Sequence, residues 1–202
     1  MNKTSEQMLE IHPWNWYGAP TSRTLIVGTF PPTKKNWSFD FFYPNKRNLF
    51  WKIIANIRDI HFEFESGAPA VEERKKALDE LGITITDMGQ SISRIAGNSL
   101  DENLNIIQFM DIFKILETYP LIDTIIFTSS SGKVSAVRWF EQYSKTKGIN
   151  IKLKTTPKPT ISYVEWNGKP IQLVVLFSPS ARAANRIAFS ELCSLYRDQI
   201  LR

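Results

Sequence analysis

Four short runs of consecutive apolar and β-branched residues constrain the fold of this chain more than any other feature. They cover residues 23–30, 83–88, 124–128 and 171–177. Because their apolar residues are continuous instead of alternating with polar ones, each run is typical of a strand that is covered on both faces, as in a parallel sheet.

The segments between these runs have helical periodicity. Apolar residues recur at the spacing of an amphipathic helix in segments 47–60, 105–118, 133–142 and 181–201. Strands that alternate with helices indicate the α/β class. We therefore predict that residues 1–202 form a single domain, a three-layer α/β/α sandwich around a mostly parallel four-stranded sheet.

Segment 149–166 departs from this alternation. Its apolar and polar residues alternate on either side of the sequence Pro157-Lys158-Pro159. This pattern predicts a basic β-hairpin or a long loop, inserted before the last strand. The lysines of the segment favour contact with a nucleic-acid backbone.

The composition limits the function classes. A net charge of +5 and a sequence pI of about 9.3 favour a polyanionic partner. No apolar run approaches the roughly 20 residues that cross a bilayer, and the first residues lack the apolar segment of a signal peptide. We therefore expect a cytoplasmic protein without a membrane partner, and we expect a monomer.

Cysteine and histidine are too scarce for the commonest metal sites. Cys193 is the single cysteine and lies in a helical pattern, where a free cysteine usually packs as a small apolar residue. His12 and His61 are the two histidines, and neither lies near a convincing nucleophile. We expect neither a metal nor an organic cofactor.

The loops after the predicted strands are the most informative part of the sequence, because ligands of open α/β sheets bind at the carboxyl ends of the strands. The first strand runs into LIVGTFPP at 25–32, which is followed by FFYPNKRNLFWKII at 41–54. The second strand lies in LGITITDMGQSISRIAGNSLD at 81–101, and the last strand leads into LFSPSARAANR at 176–186.

These four elements, in this order, resemble the uracil-DNA glycosylase superfamily, and most closely its hypoxanthine-acting and mismatch-specific branches. The resemblance extends from about Leu25 to the end of the chain. It implies a monofunctional DNA repair glycosylase that acts on double-stranded or single-stranded DNA. Such an enzyme flips a deaminated base, uracil or hypoxanthine, out of the helix and hydrolyses its N-glycosidic bond.

The resemblance implies three catalytic residues. Asn48 matches the asparagine of the Asn-x-Phe-Trp element, and its carboxamide can read the base and stabilise the departing anion. The alternative role for Asn48 is to cap the helix that follows. Thr29 stands where several branches carry the residue that orients water, but a hydroxyl is no general base near neutral pH. Asp87 either supports positive charge on the sugar or caps a loop.

The base pocket is expected to contain Tyr43, which falls at the position of the stacking aromatic residue in the mismatch-specific branch. Core packing is the alternative for an aromatic residue there, as it is for Phe41 and Phe42. The rest of the pocket is assigned in the same way to Gly28, Phe30, Pro31 and Ser93.

The loop after the last strand is expected to contact DNA. Ser180 and the nearby amides suit a phosphate, Arg186 suits a second phosphate, and Arg182 is the candidate wedge that fills the space of the extruded base. Ser178 is assigned to the same surface.

The serine-rich loop after the third strand holds two further candidates for DNA contact, Ser129 and Lys133. The sequence Ser129-Ser130-Ser131-Gly132-Lys133 also looks like the end of a nucleotide-binding loop. Phe127 and Val134 occupy two of that motif's required positions, so we interpret the segment as the cap of the following helix.

Two other functions are compatible with the sequence. A nucleic-acid-binding relative without catalysis would explain Thr29, Ser178 and the divergent Asn45-Lys46 pair. A hydrolase of free nucleosides would ignore DNA. Neither histidine lies in the motifs above, which leaves the source and destination of protons undefined.

Overall fold

The computed structural model describes residues 8–94, 101–181 and 186–201, which contain nine strands and five α-helices. The strands are β1 (Met8–Ile11), β2 (Trp16–Tyr17), β3 (Thr24–Gly28), β4 (Ile83–Asp87), β5 (Gly89–Arg94), β6 (Leu104–Phe109), β7 (Thr124–Phe127), β8 (Thr160–Trp166) and β9 (Lys169–Val175). The helices are α1 (Phe50–Arg58), α2 (Gly67–Glu80), α3 (Ile112–Thr118), α4 (Ala136–Thr146) and α5 (Phe189–Ile200). None of the described helices is long and apolar enough to cross a membrane.

The main sheet has six strands in the order β2-β4-β3-β7-β9-β8. Its four central strands are parallel and are the four predicted ones, which confirms both the α/β class and the parallel core. The predicted total of four was wrong, because an antiparallel strand pairs at each edge. β2 has two residues, too few for a pattern, and β8 lies within the segment that was read as an insertion.

Helices cover both faces of this sheet. Leu25 and Val27 of β3 pack in one core cluster with apolar residues of α3 and α4. Ile26 points to the opposite face and packs with residues of α1, α2 and α5. The continuous apolarity of the central strands follows from this arrangement, since neither face meets water.

Segment 105–118, predicted as one helix, is instead strand β6 followed by helix α3. β6 pairs antiparallel with β5, and its apolar residues mimic helical spacing because much of the strand is exposed. The helix begins only after Asp111, whose carboxylate accepts a hydrogen bond from the Lys114 amide at 3.2 Å and caps α3.

Segment 149–166, predicted as a hairpin or a long loop, is a loop followed by strand β8, and the hairpin that β8 forms with β9 extends beyond the predicted bounds. The structure has no strand in residues 149–159, and Ile151 and Leu153 of this segment are buried in the core. The hairpin is formed by β8 and β9, which turn at Asn167 and Gly168 with φ angles of 51° and 74°. Two successive positive φ values suit a tight hairpin turn, so the Asn-Gly pair and not the prolines makes the turn.

A second, smaller sheet in the order β1-β5-β6 joins the N-terminal segment to the loop after β3. Arg94 of β5 is buried. Its Nε donates to Glu10 Oε1 at 2.7 Å, and its Nη2 donates to the carbonyl of Pro31 at 2.9 Å. The buried guanidinium therefore fixes β1 against the first loop of the site.

Helix α2, which has no predicted counterpart, is fixed to the rest of the fold by Arg74. Its guanidinium lies 4.2 Å from the ring centroid of Phe39 and 4.7 Å from that of Phe62, and Nη1 donates to the carbonyls of Phe64 and Ala70. Burial lowers the pKa of Arg74. We expect Arg74→Met to lower the free energy of unfolding by about 2–4 kcal/mol, because it removes the cation–π contacts and leaves the Phe64 carbonyl without that donor.

Chemical denaturation checks this prediction. Lys76→Met is the matched control, since Lys76 is exposed on the same helix. Equal stability losses in the two variants would contradict the role given to Arg74.

Candidate active site

A cleft of about 330 Å³ opens at the carboxyl ends of the parallel strands. This volume lies within the range of small-molecule sites. Most of the residues predicted for the site line the cleft: Gly28, Thr29, Phe30, Pro31, Tyr43, Asn48, Asp87, Ser129, Ser178 and Ser180. Pro32, Pro44, Asn45, Arg47, Thr128 and Ala181 complete the lining.

Asp87, the last residue of β4, brings a carboxylate to the wall of the cleft. Its side chain is 11 % exposed. A Cβ atom on Gly28 would lie 2.0 Å from Asp87 Oδ1, so the glycine is what allows the carboxylate to pack against β3. Oδ1 has no hydrogen-bond partner among the residues that the structure describes, which leaves it available to a ligand.

The other carboxylate oxygen is bound by His12, a residue that the sequence motifs did not include. His12 Nε2 lies 3.0 Å from Asp87 Oδ2, and the imidazole is completely buried. The Trp14 amide donates to His12 Nδ1 at 3.2 Å, so Nδ1 is the acceptor and Nε2 carries the proton that is donated to Asp87. His12 is therefore a neutral donor that fixes the orientation of the carboxylate.

Asn48 performs the capping role and still presents donors to the cleft. Its Oδ1 accepts a hydrogen bond from the Phe50 amide at 2.9 Å, at the first residue of α1. Because an amide N–H needs an acceptor, this contact identifies the atom that faces the helix as Oδ1. Nδ2 therefore points away from the helix. Nδ2 has no partner within the described ranges, so its two N–H groups can donate to a ligand.

Tyr43 lines the cleft beside Asn48, with one face of its ring already covered. Phe50 stacks on that face at a centroid distance of 4.1 Å and an interplanar angle of 21°. The Tyr43 hydroxyl lies 2.7 Å from Thr128 Oγ1, and Thr128 in turn donates to the carbonyl of Val27. These contacts fix the ring in the wall of the cleft.

Thr29 is bound to the start of helix α4. Its hydroxyl lies 2.6 Å from Ser129 Oγ, and Ser129 Oγ accepts a hydrogen bond from the Ala136 amide at 2.8 Å. The serine-rich loop therefore caps the helix that follows it, as predicted. Thr29 lines the cleft with a weakly basic hydroxyl. That hydroxyl already forms a hydrogen bond with Ser129.

The remaining predicted residues are less closely associated with the cleft. Ser178 Oγ accepts from the Ser180 amide at 3.2 Å and stabilises the loop after β9. Exposed Arg186 donates to Ser131 at 3.5 Å, and exposed Lys133 does not line the cleft.

Ser93 pairs with Leu9 in the small sheet and is also absent from the lining, because β5 carries it away from the strand ends.

Arg182, the candidate wedge, lies outside the described residues.

A lysine packs beside the loop that follows β9. Lys158 Nζ lies 5.3 Å from the ring centroid of Phe177, the residue that precedes Ser178. Burial lowers the pKa of Lys158, and the nearby positive charge of Arg186 lowers it further. Burial raises the pKa of Tyr196, so its hydroxyl stays protonated and donates to the carbonyl of Phe177 at 2.9 Å.

Residues 8–94, 101–181 and 186–201 contain no group of three or more histidine, cysteine, aspartate or glutamate side chains arranged to hold a metal. The groups that reach the cleft are instead a carboxylate, a carboxamide, an aromatic ring and several hydroxyls. Together they can accept a proton, donate to a carbonyl and stack on a planar ring.

No model of a known protein family matches the chain, and no curated protein is significantly similar to it in sequence. The functional interpretation therefore depends on the chemistry of the cleft and on the motifs that line it.

The contact between Gly28 and Asp87 gives a direct prediction. We expect Gly28→Ala to displace the Asp87 carboxylate, because the new Cβ atom would lie 2.0 Å from Oδ1. Base release should then fall by about 10- to 100-fold, less than on neutralising Asp87, because the carboxylate is displaced but keeps its charge. Base-release kinetics measured beside thermal unfolding test this. A folded Gly28→Ala variant with wild-type activity would contradict the importance of the contact.

Proposed function

We propose that this protein is a monofunctional DNA glycosylase that hydrolyses the N-glycosidic bond of a deaminated base, uracil or hypoxanthine. One observation carries the proposal: Asp87 and Asn48, each with a side-chain atom that has no hydrogen-bond partner among the described residues, line the same cleft as Tyr43. A planar base that has left the helix needs a surface for stacking, a donor for its carbonyl and a group that assists water at the sugar.

Asn48 supplies the donor. Its Nδ2 hydrogens are directed by the cap that its Oδ1 forms, so the carboxamide does not need to reorient when a base enters. A carbonyl of uracil or hypoxanthine becomes more negative as the bond from the base to C1′ breaks. A preorganised donor binds that developing charge more strongly than it binds the ground state.

Asp87 supplies the negative charge on the sugar side. Water attacks C1′ while the electron pair of the C1′–N bond leaves with the base, and the sugar becomes cation-like in between. The Asp87 carboxylate stabilises that cation and takes the proton from the attacking water, and the base anion takes a proton from solvent. Thr29 contributes a hydroxyl that holds the water in position.

His12 acts as a positioning residue for Asp87 in this scheme. We expect His12→Gln to reduce base release by about 10- to 100-fold, less than neutralising Asp87, because the carboxylate loses its fixed orientation but keeps its charge. Adding His12→Gln to Asp87→Asn should cost little more than Asp87→Asn alone, since the histidine acts through the carboxylate. Single-turnover rates of the two single variants and the double variant test this. Additive losses would contradict it.

The proposal is tested with labelled duplexes and single strands that carry uracil, hypoxanthine, xanthine or a thymine mismatch. The protein should leave the strand intact until alkali is added, because a monofunctional enzyme produces an abasic site without cutting the backbone. Cleavage without alkali would contradict monofunctional chemistry. Base release from free nucleosides but not from DNA would indicate a nucleoside hydrolase.

A second candidate is a DNA-binding protein without catalysis. It is favoured by one feature, the engagement of the Thr29 hydroxyl by Ser129, because a hydroxyl is no general base near neutral pH. It predicts salt-sensitive DNA binding with no abasic product from any substrate. The same assay therefore separates the two candidates.

A further inference from the structure

A second concavity adjoins the cleft. It has a volume of about 360 Å³ and lies between two parts of the connection from β3 to α1, residues 35–38 and residues 45–47. Asn45 and Arg47 line both the cleft and this concavity. A chain that leaves the cleft on this side therefore enters the concavity directly.

Three cations line the concavity: Lys35, Lys46 and Arg47. All three are exposed, none forms an ion pair with any residue that the structure describes, and no acidic side chain is part of the lining. Like charges collected in one depression raise the local positive potential, which an anionic ligand would relieve.

Contacts within this connection fix the backbone on both sides of the concavity. The Ser38 amide donates to the carbonyl of Pro44 at 2.9 Å, which links the two sides of the concavity. Trp37 Nε1 donates to the carbonyl of Pro32 at 2.8 Å, and its ring packs on Trp14 at a centroid distance of 4.8 Å. Lys34 Nζ lies 5.8 Å from the centre of the same ring. These contacts fix the segment that contains Lys35.

We propose that this concavity binds the backbone phosphates of the DNA strand that carries the flipped base, through Lys35, Lys46 and Arg47. A base in the cleft is covalently joined to phosphates on both sides, and the shared residues Asn45 and Arg47 lead one of these flanks into the concavity. This inference rests on the proposed function for the identity of the strand. The phosphate chemistry itself does not require that a base be hydrolysed.

The test measures binding of a short, undamaged, fluorescently labelled single strand by anisotropy at several salt concentrations. The variant carries Lys35→Gln, Lys46→Gln and Arg47→Gln. Each single-strand phosphate contact contributes about 0.7 to the slope of log K against log salt, so the loss of three contacts should reduce the slope by about 2. The control carries Lys76→Gln, Lys114→Gln and Lys145→Gln, three exposed helix lysines with the same total charge change. Its slope should stay close to the wild-type value.

A strand with uncharged methylphosphonate linkages completes the design, and the wild type and the triple variant should bind it equally. Equal slopes for the triple variant and the control, or a wild type that does not bind the charged strand, would overturn the inference. Because the strand is undamaged, a protein that releases no base can still pass this test. A protein that releases base and fails it must hold its strand on another surface.

Discussion

We expect Asp87→Asn to release base about 10²–10⁴-fold more slowly than the wild type, the range that a general base usually contributes. Asparagine keeps the size of the side chain, and its carbonyl oxygen can still accept the proton of His12 Nε2. The substitution therefore removes the charge while leaving the packing in place. Single-turnover kinetics with enzyme in excess measure the loss without interference from product release.

Asp40→Asn is the matched control for this variant. Asp40 is exposed and accepts a hydrogen bond from Trp14 Nε1 at 2.8 Å, which an asparagine oxygen can also accept. Its activity should stay within about twofold of the wild type, since a surface charge outside the cleft makes only a small contribution. If Asp87→Asn were as active as Asp40→Asn, the carboxylate could not be part of the chemistry.

The second large effect is expected at Asn48. We expect Asn48→Asp to lower base release by about 10²–10³-fold, because it replaces the available Nδ2 donors by an oxygen that repels the departing base anion. The new carboxylate can still accept the Phe50 amide and lies at a helix N-terminus, where negative charge is favourable. Stability should therefore be kept or slightly raised.

Asn48→Ala separates the two roles of this residue. It should lose the same activity and also about 1 kcal/mol of stability, because the helix loses its cap. Rates and denaturation curves for both variants are needed. An Asn48→Asp protein with wild-type rates would show that Asn48 only caps α1.

The parallel core of the fold was predictable from local sequence. β3, β4, β7 and β9 are buried on both faces, so their runs of apolar residues carry the signal without tertiary information. β6 was mistaken for a helix because it is a largely exposed strand of a small sheet, where little burial enforces alternation. Helix α2 is mostly polar and holds its place through Arg74 and a few apolar contacts, which give only a weak periodic pattern.

The lining of the cleft was predictable where residues follow the ends of the strands, and for Tyr43 and Asn48 from the motif at 41–54. Gly28, Asp87 and Ser178 lie at such ends, and the cleft contains all three. His12 is 75 residues from Asp87 in the sequence, and the pairing of β1 with β5 and of β2 with β4 brings them together. Ser93 does not line the cleft, because β5 carries it into a second sheet that the local sequence pattern does not predict.

The most direct test of the account is the detection of free base by mass spectrometry after the wild-type protein is mixed with DNA containing uracil or hypoxanthine. The account predicts that free uracil or hypoxanthine appears in stoichiometric yield with an abasic strand, and that Asp87→Asn and Asn48→Asp form it far more slowly. Salt-sensitive binding of the same DNA without any release of free base would contradict the glycosylase proposal. The protein would then be a DNA-binding protein without catalysis.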